Sequence, residues 1–380
     1  MNRDFDYFST AHVGEREMAL DGTNISYHRE RVEAWERGER IAPIFLDIAW
    51  TRKCQAACSF CYAMAQASEG GVITREHAMN FLDDAAEIGV LAMHYISDGE
   101  STMVPWYADA VERATDLGIA IGAGTNGIAT TKPVLERILP RLMSFRVNFS
   151  AGEKKRYAEI MGLKQAVYDI VIDNIRTAVE LVRANGWACI VNMNLVCDPR
   201  DSDQLLPFAR LAKELGVHYG IIKHCAVDPD GVLDVDYKGY AAIEKTLREC
   251  EALSDETTKI VIKWNKIRHA GIRQYSRCLG PPFALQMSGN GLIAPCGPLF
   301  NEKYRAFHIG NITTERFRDI FASDRYWSVM QYLASDQFDP RKRCPSDCMQ
   351  NVTNDWLFKY INGEVKFPMH QAPANVNFLA

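Results

Sequence analysis

The chain has 380 residues, 47% of them hydrophobic, and a formal net charge of -5. That length accommodates one large domain and a smaller one, and the slight negative excess without any Lys/Arg run argues against a nucleic-acid partner. No apolar run reaches membrane-spanning length and "MNRDFDYFST" is not a signal peptide, so a cytoplasmic protein with no membrane partner is expected. In a reducing compartment the eleven cysteines are not a disulfide framework; some belong to the core, and the clustered ones point to metal.

In chain order, "IFLDIAW" (44–50) reads as a buried strand and "REHAMNFLDDAAEIG" as a helix ended by Gly89. "LAMHYISD" is the next strand and "WYADAVERATDLG" a helix closed by Gly118. The strand "IAIGAGTNG", the helix "TKPVLERILPRL" and the strand "SFRVNFSAG" follow. A long helix over 165–185 ends at Gly186, and "WACIVNMNLV", "DQLLPFARLAKELG" and "VHYGIIKHC" add a strand, a helix and a strand. The result is an α/β chain whose six βα units suggest a parallel sheet or a partial (β/α)6 TIM-like barrel. In such folds ligands sit at the carboxyl ends of the strands. The helical "YKGYAAIEKTLRECEAL" is expected to end the alternation. The expected domains are an N-terminal extension (1–43), the barrel (44–253), a linker (254–277), a small α+β domain (278–360) and a tail (361–380).

The densest chemical signal is "WTRKCQAACSFCYAMAQ", where Cys54, Cys58 and Cys61 fall just after the first strand. Three thiolates do not close a tetrahedral zinc site without a fourth ligand. On a [4Fe-4S] cluster they leave one iron open. Core thiols are the remaining reading. The C-x3-C-x2-C spacing, with Phe60 before the last cysteine, resembles the signature loop of the radical S-adenosylmethionine (SAM) superfamily.

The resemblance implies that SAM chelates the open iron and is cleaved to a 5'-deoxyadenosyl radical by an electron from a reductant such as flavodoxin or ferredoxin. "SDGEST" is similar to the family's Gly-Gly-Glu motif, with Asp98 in place of the first glycine. Gly99 would let the backbone approach the ligand, and Glu100 would accept a bond from the SAM ammonium. Asn126, at the end of the third strand, is a candidate for the cofactor or substrate. Asn148 and Ser150, on one face of the fourth strand's end, are candidates for the SAM ribose. Asn192 and Asn194 interrupt an apolar strand; burying amides without partners is costly, so one or both are expected to face the cavity.

The C-terminal part holds "CLGPPFALQMSGNGLIAPC" and "CPSDC", contributing Cys278, Cys296, Cys344 and Cys348. On chemistry alone four thiolates suit zinc or an iron–sulfur cluster equally. The C-x12-G-x4-C pattern, "HIGNI", "FRDIF" and the closing cysteine pair resemble the SPASM/twitch extension of radical SAM enzymes. With four cysteines rather than seven, the shorter form with one fully ligated auxiliary [4Fe-4S] cluster is implied. Together the resemblances span about residues 44–350 and imply two [4Fe-4S] clusters and SAM as cofactors.

Cys189 and Cys250 sit in apolar contexts and read as core thiols. Cys197 and Cys225 end strands on the active-site side, where a thiol could return a hydrogen atom to a substrate radical. Lys223 and His224 could bind an anion or move a proton. The expected activity is oxidation of an alcohol on a small sugar- or cyclitol-like molecule, with the auxiliary cluster as electron acceptor. Epimerisation through a cysteine, modification of a ribosomal peptide, and an iron–sulfur electron carrier are the alternatives. Peptide-modifying relatives usually carry a leader-binding module before the barrel, which the short stretch ahead of Ile44 does not resemble.

Overall fold

In the computed structural model the described residues are 10–13, 16–20, 22–66, 70–225, 233, 235–269, 272–344 and 348–379. Most of the opening decapeptide, and residues 345–347 between the last two cysteines, lie outside them. A hairpin of β1 (Thr10–Val13) and β2 (Arg16–Ala19) and helix α1 (Arg29–Glu36) come first. The alternation then runs β3 (Phe45–Ile48), α2 (Arg75–Ile88), β4 (Ala92–Tyr95), α3 (Tyr107–Asp116), β5 (Ala120–Thr125), α4 (Lys132–Ile138) and β6 (Leu142–Asn148). It continues through α5 (Lys154–Met161), α6 (Ala166–Asn185), β7 (Ile190–Cys197), α7 (Leu205–Leu215) and β8 (Tyr219–His224). All six strands read from the sequence are present, mutually parallel and in sequential order. Local signals set the helix ends. Thr74 and His77 form a capping box at the start of α2, and Gly89, at φ 102°, terminates it in the left-handed region.

The stretch expected to be a linker is not one. After the short helices α8 (Gly239–Ala242) and α9 (Glu244–Glu251), residues Lys259–Ile262 form β9, parallel to β8, and α10 (Trp264–His269) follows. "KIVI" is too brief to stand out as a strand in sequence; the open edge of β8 gives it a partner. The C-terminal region also joins the same sheet. β10 (Ala284–Met287) pairs parallel with β3, and β11 (Leu292–Ala294) and β12 (Gly310–Asn311) continue it antiparallel. The sheet therefore has ten strands in the order β12-β11-β10-β3-β4-β5-β6-β7-β8-β9. Helices α11 (Phe317–Ala322), α12 (Asp324–Ala334), α13 (Pro340–Arg343) and α14 (Asn351–Ile361) complete the chain. Among the described residues no helix is long and apolar enough to cross a membrane.

The sheet curls. Asp47 on β3 lies within electrostatic range of Arg146 on β6 and Lys223 on β8. In a flat sheet five strand spacings would hold β3 and β8 roughly 24 Å apart. The convex face packs Leu46, Ile48, Met93, Ile121, Phe145 and Val147 against the helices in the main core. The concave face is closed at the amino ends of the strands by two segments far apart in the chain, around Ala19–Asn24 and Asn375–Phe378. Asn375 exchanges hydrogen bonds with the backbone of Ala19 (3.0 and 2.7 Å), and Asn24 Nδ2 donates to the carbonyls of Asn375 and Phe378. The Phe378 ring then sits 5.9 Å from Phe45 and 5.0 Å from His94. The segment expected as a free tail is thus a plug.

Candidate active site

The three-cysteine loop leaves β3 at the open, carboxyl end of the sheet and is held by backbone contacts. Ala57 N donates to Met161 O (3.1 Å), Ser59 N to Ile160 O (2.9 Å), and Glu100 N to Lys53 O (2.9 Å). Gly162, at φ +63°, lies where any Cβ would come within 2.4 Å of Ala57 O. Phe60 and Cys58 pack partly buried against the main core. The thiols carry no disulfide. Burial, followed by the neighbouring Cys61 and Cys54, pushes Cys58 up to about 12, and burial raises Cys54 and Cys61 as well. Thiols gathered so that Cys54 and Cys61 oppose the ionisation of Cys58, and Cys54 that of Cys61, suit a cationic group that binds all three as thiolates.

The loop after β4 braces this one. Gly99 (φ +78°) has no room for a side chain: a Cβ would lie 2.0 Å from Thr51 O and 2.7 Å from Arg52 Cα. The close approach expected toward a ligand is, in the structure, toward the cysteine loop itself. Asp98 is buried, and its carboxylate takes Arg52 Nε at 3.0 Å, Ser288 Oγ at 2.7 Å and Gly289 N at 2.7 Å. It ties three segments together, which is a different task from the cofactor contact expected of it. Gly289 too is pressed on Thr51, with a would-be Cβ 2.1 Å from its carbonyl carbon.

Glu100 is buried and accepts from Thr102 N and Oγ1, Thr125 Oγ1 (2.8 Å) and Asn126 N (2.6 Å). Burial raises its pKa against the pull of these donors. Among the described residues its Oε2 takes only the Asn126 bond, leaving acceptor capacity there. Asn126 reaches the cysteine loop, with Nδ2 3.0 Å from Gln55 Oε1 and 3.8 Å from Cys54 Sγ. Ser150 Oγ accepts from Val196 N at 3.1 Å and is buried, so this hydroxyl joins β6 to β7 rather than standing open for a ribose.

Along β6, Phe145 and Val147 are buried against helices while Ser144, Arg146 and Asn148 on the other face keep some exposure. The concave face therefore borders a space rather than a filled core. Asn192 and Asn194 line it with their Oδ1 atoms buried and unpaired. Sequence reading missed three further residues there. Asp47 has one oxygen unpaired and the other 3.2 Å from Gln286 Nε2, and burial lifts its pKa to about 6 against Arg146. His94 Nδ1 lies 4.0 Å from Asp47, and burial, with Arg146, lowers its pKa to about 3. Arg146 has a covered Nε with no partner. The signal that pointed to Asn192 and Asn194, a polar residue inside an apolar strand, was present in "FLDI", "AMHY" and "FRVNF" as well.

The strand-end thiols do not meet across this space. Cys197 packs with Leu195, Tyr240 and Cys250 in the core on the helix side, and its thiol faces the Asp198 carbonyl at 3.5 Å. That placement runs against the hydrogen-donor role expected of it. Cys225 is buried, with its backbone N–H on Tyr240 Oη (2.8 Å), and that hydroxyl also donates to Cys197 O (2.6 Å). Lys223 is in range of Asp47, whereas the His224 ring neighbours Tyr237 at 5.9 Å.

The second cysteine set is also gathered by the fold. Burial, followed by Cys348, Cys344 and Cys296, raises Cys278 well above the ordinary thiol range; burial and the same neighbours raise Cys296, and Cys344 reaches about 12. Tyr275 Oη lies 3.9 Å from Cys348 Sγ. Arg273 keeps its charge despite burial because of Cys348, Tyr275 and Cys344 beside it. Four partly buried thiols with a guanidinium alongside fit an anionic, fully cysteine-ligated cluster. Among the described residues no three His, Cys, Asp or Glu side chains are grouped around a single metal ion.

Comparison with known proteins finds a family match over the stretch that holds each cysteine set. Residues 48–212 match the radical SAM superfamily, and residues 278–349 match the SPASM iron–sulfur cluster-binding domain. The chain belongs to the radical SAM superfamily and carries a C-terminal SPASM/twitch domain; it is a radical SAM enzyme, and the cofactors of these two domains are SAM and two [4Fe-4S] clusters. A tungsten-containing aldehyde ferredoxin oxidoreductase cofactor-modifying protein from Pyrococcus furiosus is 24% identical over 310 residues, 74% of this chain and 81% of that protein. The mycofactocin maturase MftC of Mycobacterium tuberculosis is 25% identical over 186 residues, 49% of this chain and 45% of its own length. Among solved structures, SuiB of Streptococcus suis bound to S-adenosylmethionine superposes with a TM-score of 0.61 at 16% identity, covering 80% of this chain and 72% of SuiB. The enzyme anSMEcpe with bound AdoMet gives 0.57 at 12% identity, covering 84% and 98%. At these identities the structural likeness establishes the fold.

Proposed function

We propose that this enzyme removes a hydrogen atom from a small polar molecule held on the concave face of the sheet and oxidises it. The observation that carries the reading is the set of polar side chains facing that space, Asp47, His94, Asn192 and Asn194, with unpaired buried atoms on three of them. When bound, SAM with its cluster on Cys54, Cys58 and Cys61 supplies a 5'-deoxyadenosyl radical, and the auxiliary cluster on Cys278, Cys296, Cys344 and Cys348 supplies an electron sink. Phe60, in the cysteine loop, Gly99, Glu100 and Asn126, packed against it, and Asn148, at the carboxyl end of β6, are the SAM-side residues in this reading. Asp98 holds the loop in place. Oxidation of an alcohol carbon also releases the hydroxyl proton. Asp47 is suited to accept it, because a carboxyl with a pKa of about 6 exchanges protons near neutrality. The cofactor-modifying relative from Pyrococcus furiosus supports a small-molecule substrate.

A second reading, modification of a peptide, is favoured by the maturase relative and by SuiB, also solved bound to the precursor peptide SuiA. An external one-electron reductant is needed in either case. The test is anaerobic incubation of reconstituted enzyme with SAM, reductant and candidate molecules, followed by mass spectrometry. Loss of two hydrogens supports oxidation. Solvent deuterium gained without other mass change would mean epimerisation, and a modified peptide would establish the second reading.

A further inference from the structure

Arg146 stands apart among the cations of this protein. Strand alternation turns it away from Phe145 and Val147, which pack against the helices, and toward the concave face. Its neighbours in register are Gly124 on β5, which has no side chain, and Asn192 on β7. Among the described residues it makes no hydrogen bond and no ion pair within 4 Å, and its Nε is fully covered. The titratable groups in electrostatic range of it include Asp47, deeper toward the plug, His94 on β4, and the phenol of Tyr62, beside Cys61 in the cysteine loop. The guanidinium therefore lies between the plugged end of the sheet and the loop where radical chemistry starts. A half-buried guanidinium whose covered Nε has no partner is costly to a fold. Its five N–H donors in a planar fork match a carboxylate or a phosphate. Asn192 and Asn194, with unpaired carbonyl oxygens on the next strand, would accept from hydroxyl or amino groups of the same molecule.

We infer that Arg146 anchors an anionic group, a carboxylate or a phosphate, of a substrate that also presents hydrogen-bond donors to Asn192 and Asn194. This deepens the small-molecule reading above and rests on it. Binding through Arg146 would leave the substrate's opposite end toward the cysteine loop. Reach across the concave face, rather than a sequence motif, would then select which carbon loses its hydrogen.

The test is calorimetric titration of the reconstituted full-length protein with inorganic phosphate and, separately, with succinate. One of the two anions binds the wild type, and the stronger of them names the anionic group. Arg146→Met weakens that binding by roughly 10- to 100-fold, as expected for loss of a charge-assisted pair, and Arg146→Lys recovers part of it. Thermal melting of Arg146→Met stays at or above the wild-type value, because a half-buried, unpartnered charge has been removed. Failure of both anions to bind the wild type overturns the inference, as does equal binding by Arg146→Met. A melting temperature several degrees lower would make Arg146 structural and would also overturn it. Displacement of the anion by saturating SAM in the wild type would assign Arg146 to the cofactor instead. Reductive cleavage of SAM by the wild type is measured alongside. Its absence would sink the radical reading, whereas the anion titration alone decides the role of Arg146.

Discussion

The carboxylate of Asp98 joins Arg52, at 3.0 Å, to Ser288, at 2.7 Å, so the cysteine loop and the C-terminal hairpin are fastened through one buried side chain. Arg52 keeps 31% of its side-chain surface exposed while Asp98 keeps 1%. The pair is therefore partly screened, and the bonds to Ser288 and Gly289 contribute most. Asp98→Ala is expected to lower unfolding free energy by about 2 kcal/mol and to reduce the iron retained after anaerobic gel filtration. Urea unfolding followed by fluorescence, with iron assay of the folded fraction, measures both; an unchanged midpoint would remove Asp98 from this role.

Gly99 and Gly118 are both left-handed, at φ 78° and 83°, but only Gly99 is crowded. Gly118→Ala meets open space and is expected to cost about 1 kcal/mol from backbone conformation alone. Gly99→Ala adds a collision with the carbonyl of Thr51 and is expected to displace the cysteine loop. Thermal melting should place the Gly99 variant well below the Gly118 variant, and equal melting temperatures would contradict the packing described here.

The two cysteine sets are expected to load independently. Changing Cys54, Cys58 and Cys61 together to Ala should leave about one four-iron cluster and abolish formation of 5'-deoxyadenosine. Changing Cys278 or Cys296 alone should lower iron content and destabilise the C-terminal region, since such sites contribute folding free energy. Iron and sulfide assays with electron paramagnetic resonance distinguish these outcomes. Stoichiometric zinc in anaerobically purified protein would replace the second cluster in this account.

Asp47 and His94 should give opposite pH dependences of stability. Asp47 has a raised pKa of about 6, so the folded state holds its proton more tightly than the unfolded chain, and its contribution falls as pH rises from about 4 through 6. His94 has a lowered pKa of about 3, so the unfolded chain binds the proton more tightly, and stability is lost as pH falls from about 6.5 toward 3. Relative to wild type, Asp47→Asn should therefore gain stability as pH is raised from 4 to 7. His94→Gln should gain as pH is lowered over the same interval. Denaturant titrations at several pH values measure both differences, and differences that do not vary with pH would show that neither group titrates as described.

Phe378 closes the amino end of the curled sheet against Phe45 and His94. Phe378→Ala is expected to cost about 3 kcal/mol and to speed hydrogen exchange in β3 and β4. Amide exchange by mass spectrometry tests this, and protection equal to wild type would mean that the plug does not support the strands.

Sequence by itself determined much of this protein. Hydrophobic periodicity and terminal glycines located all six barrel strands and the helices between them except α5 (Lys154–Met161), because a buried parallel strand and an amphipathic helix each leave a local pattern. Cys54, Cys58 and Cys61 stood out by their close spacing in one loop, whereas Cys278, Cys296, Cys344 and Cys348 are spread along the chain and were singled out by the family resemblance. Asn192 and Asn194 were legible as polar breaks in an apolar strand. For four further residues the role needed the fold. Asp98 looked like a departure from a glycine motif, and its partners lie on a loop near residue 52 and on a hairpin near residue 288. Cys197 looked like an active-site thiol, and only the phase of β7 turns it toward the helices. Asp47 and Arg146 meet because the sheet curls, and curvature accumulates from strand twist over many residues rather than from any one of them. The linker that became β9 and the tail that became a plug have the same cause: a short segment takes its structure from the unpaired edge or open end it finds, and that partner is far away in the chain.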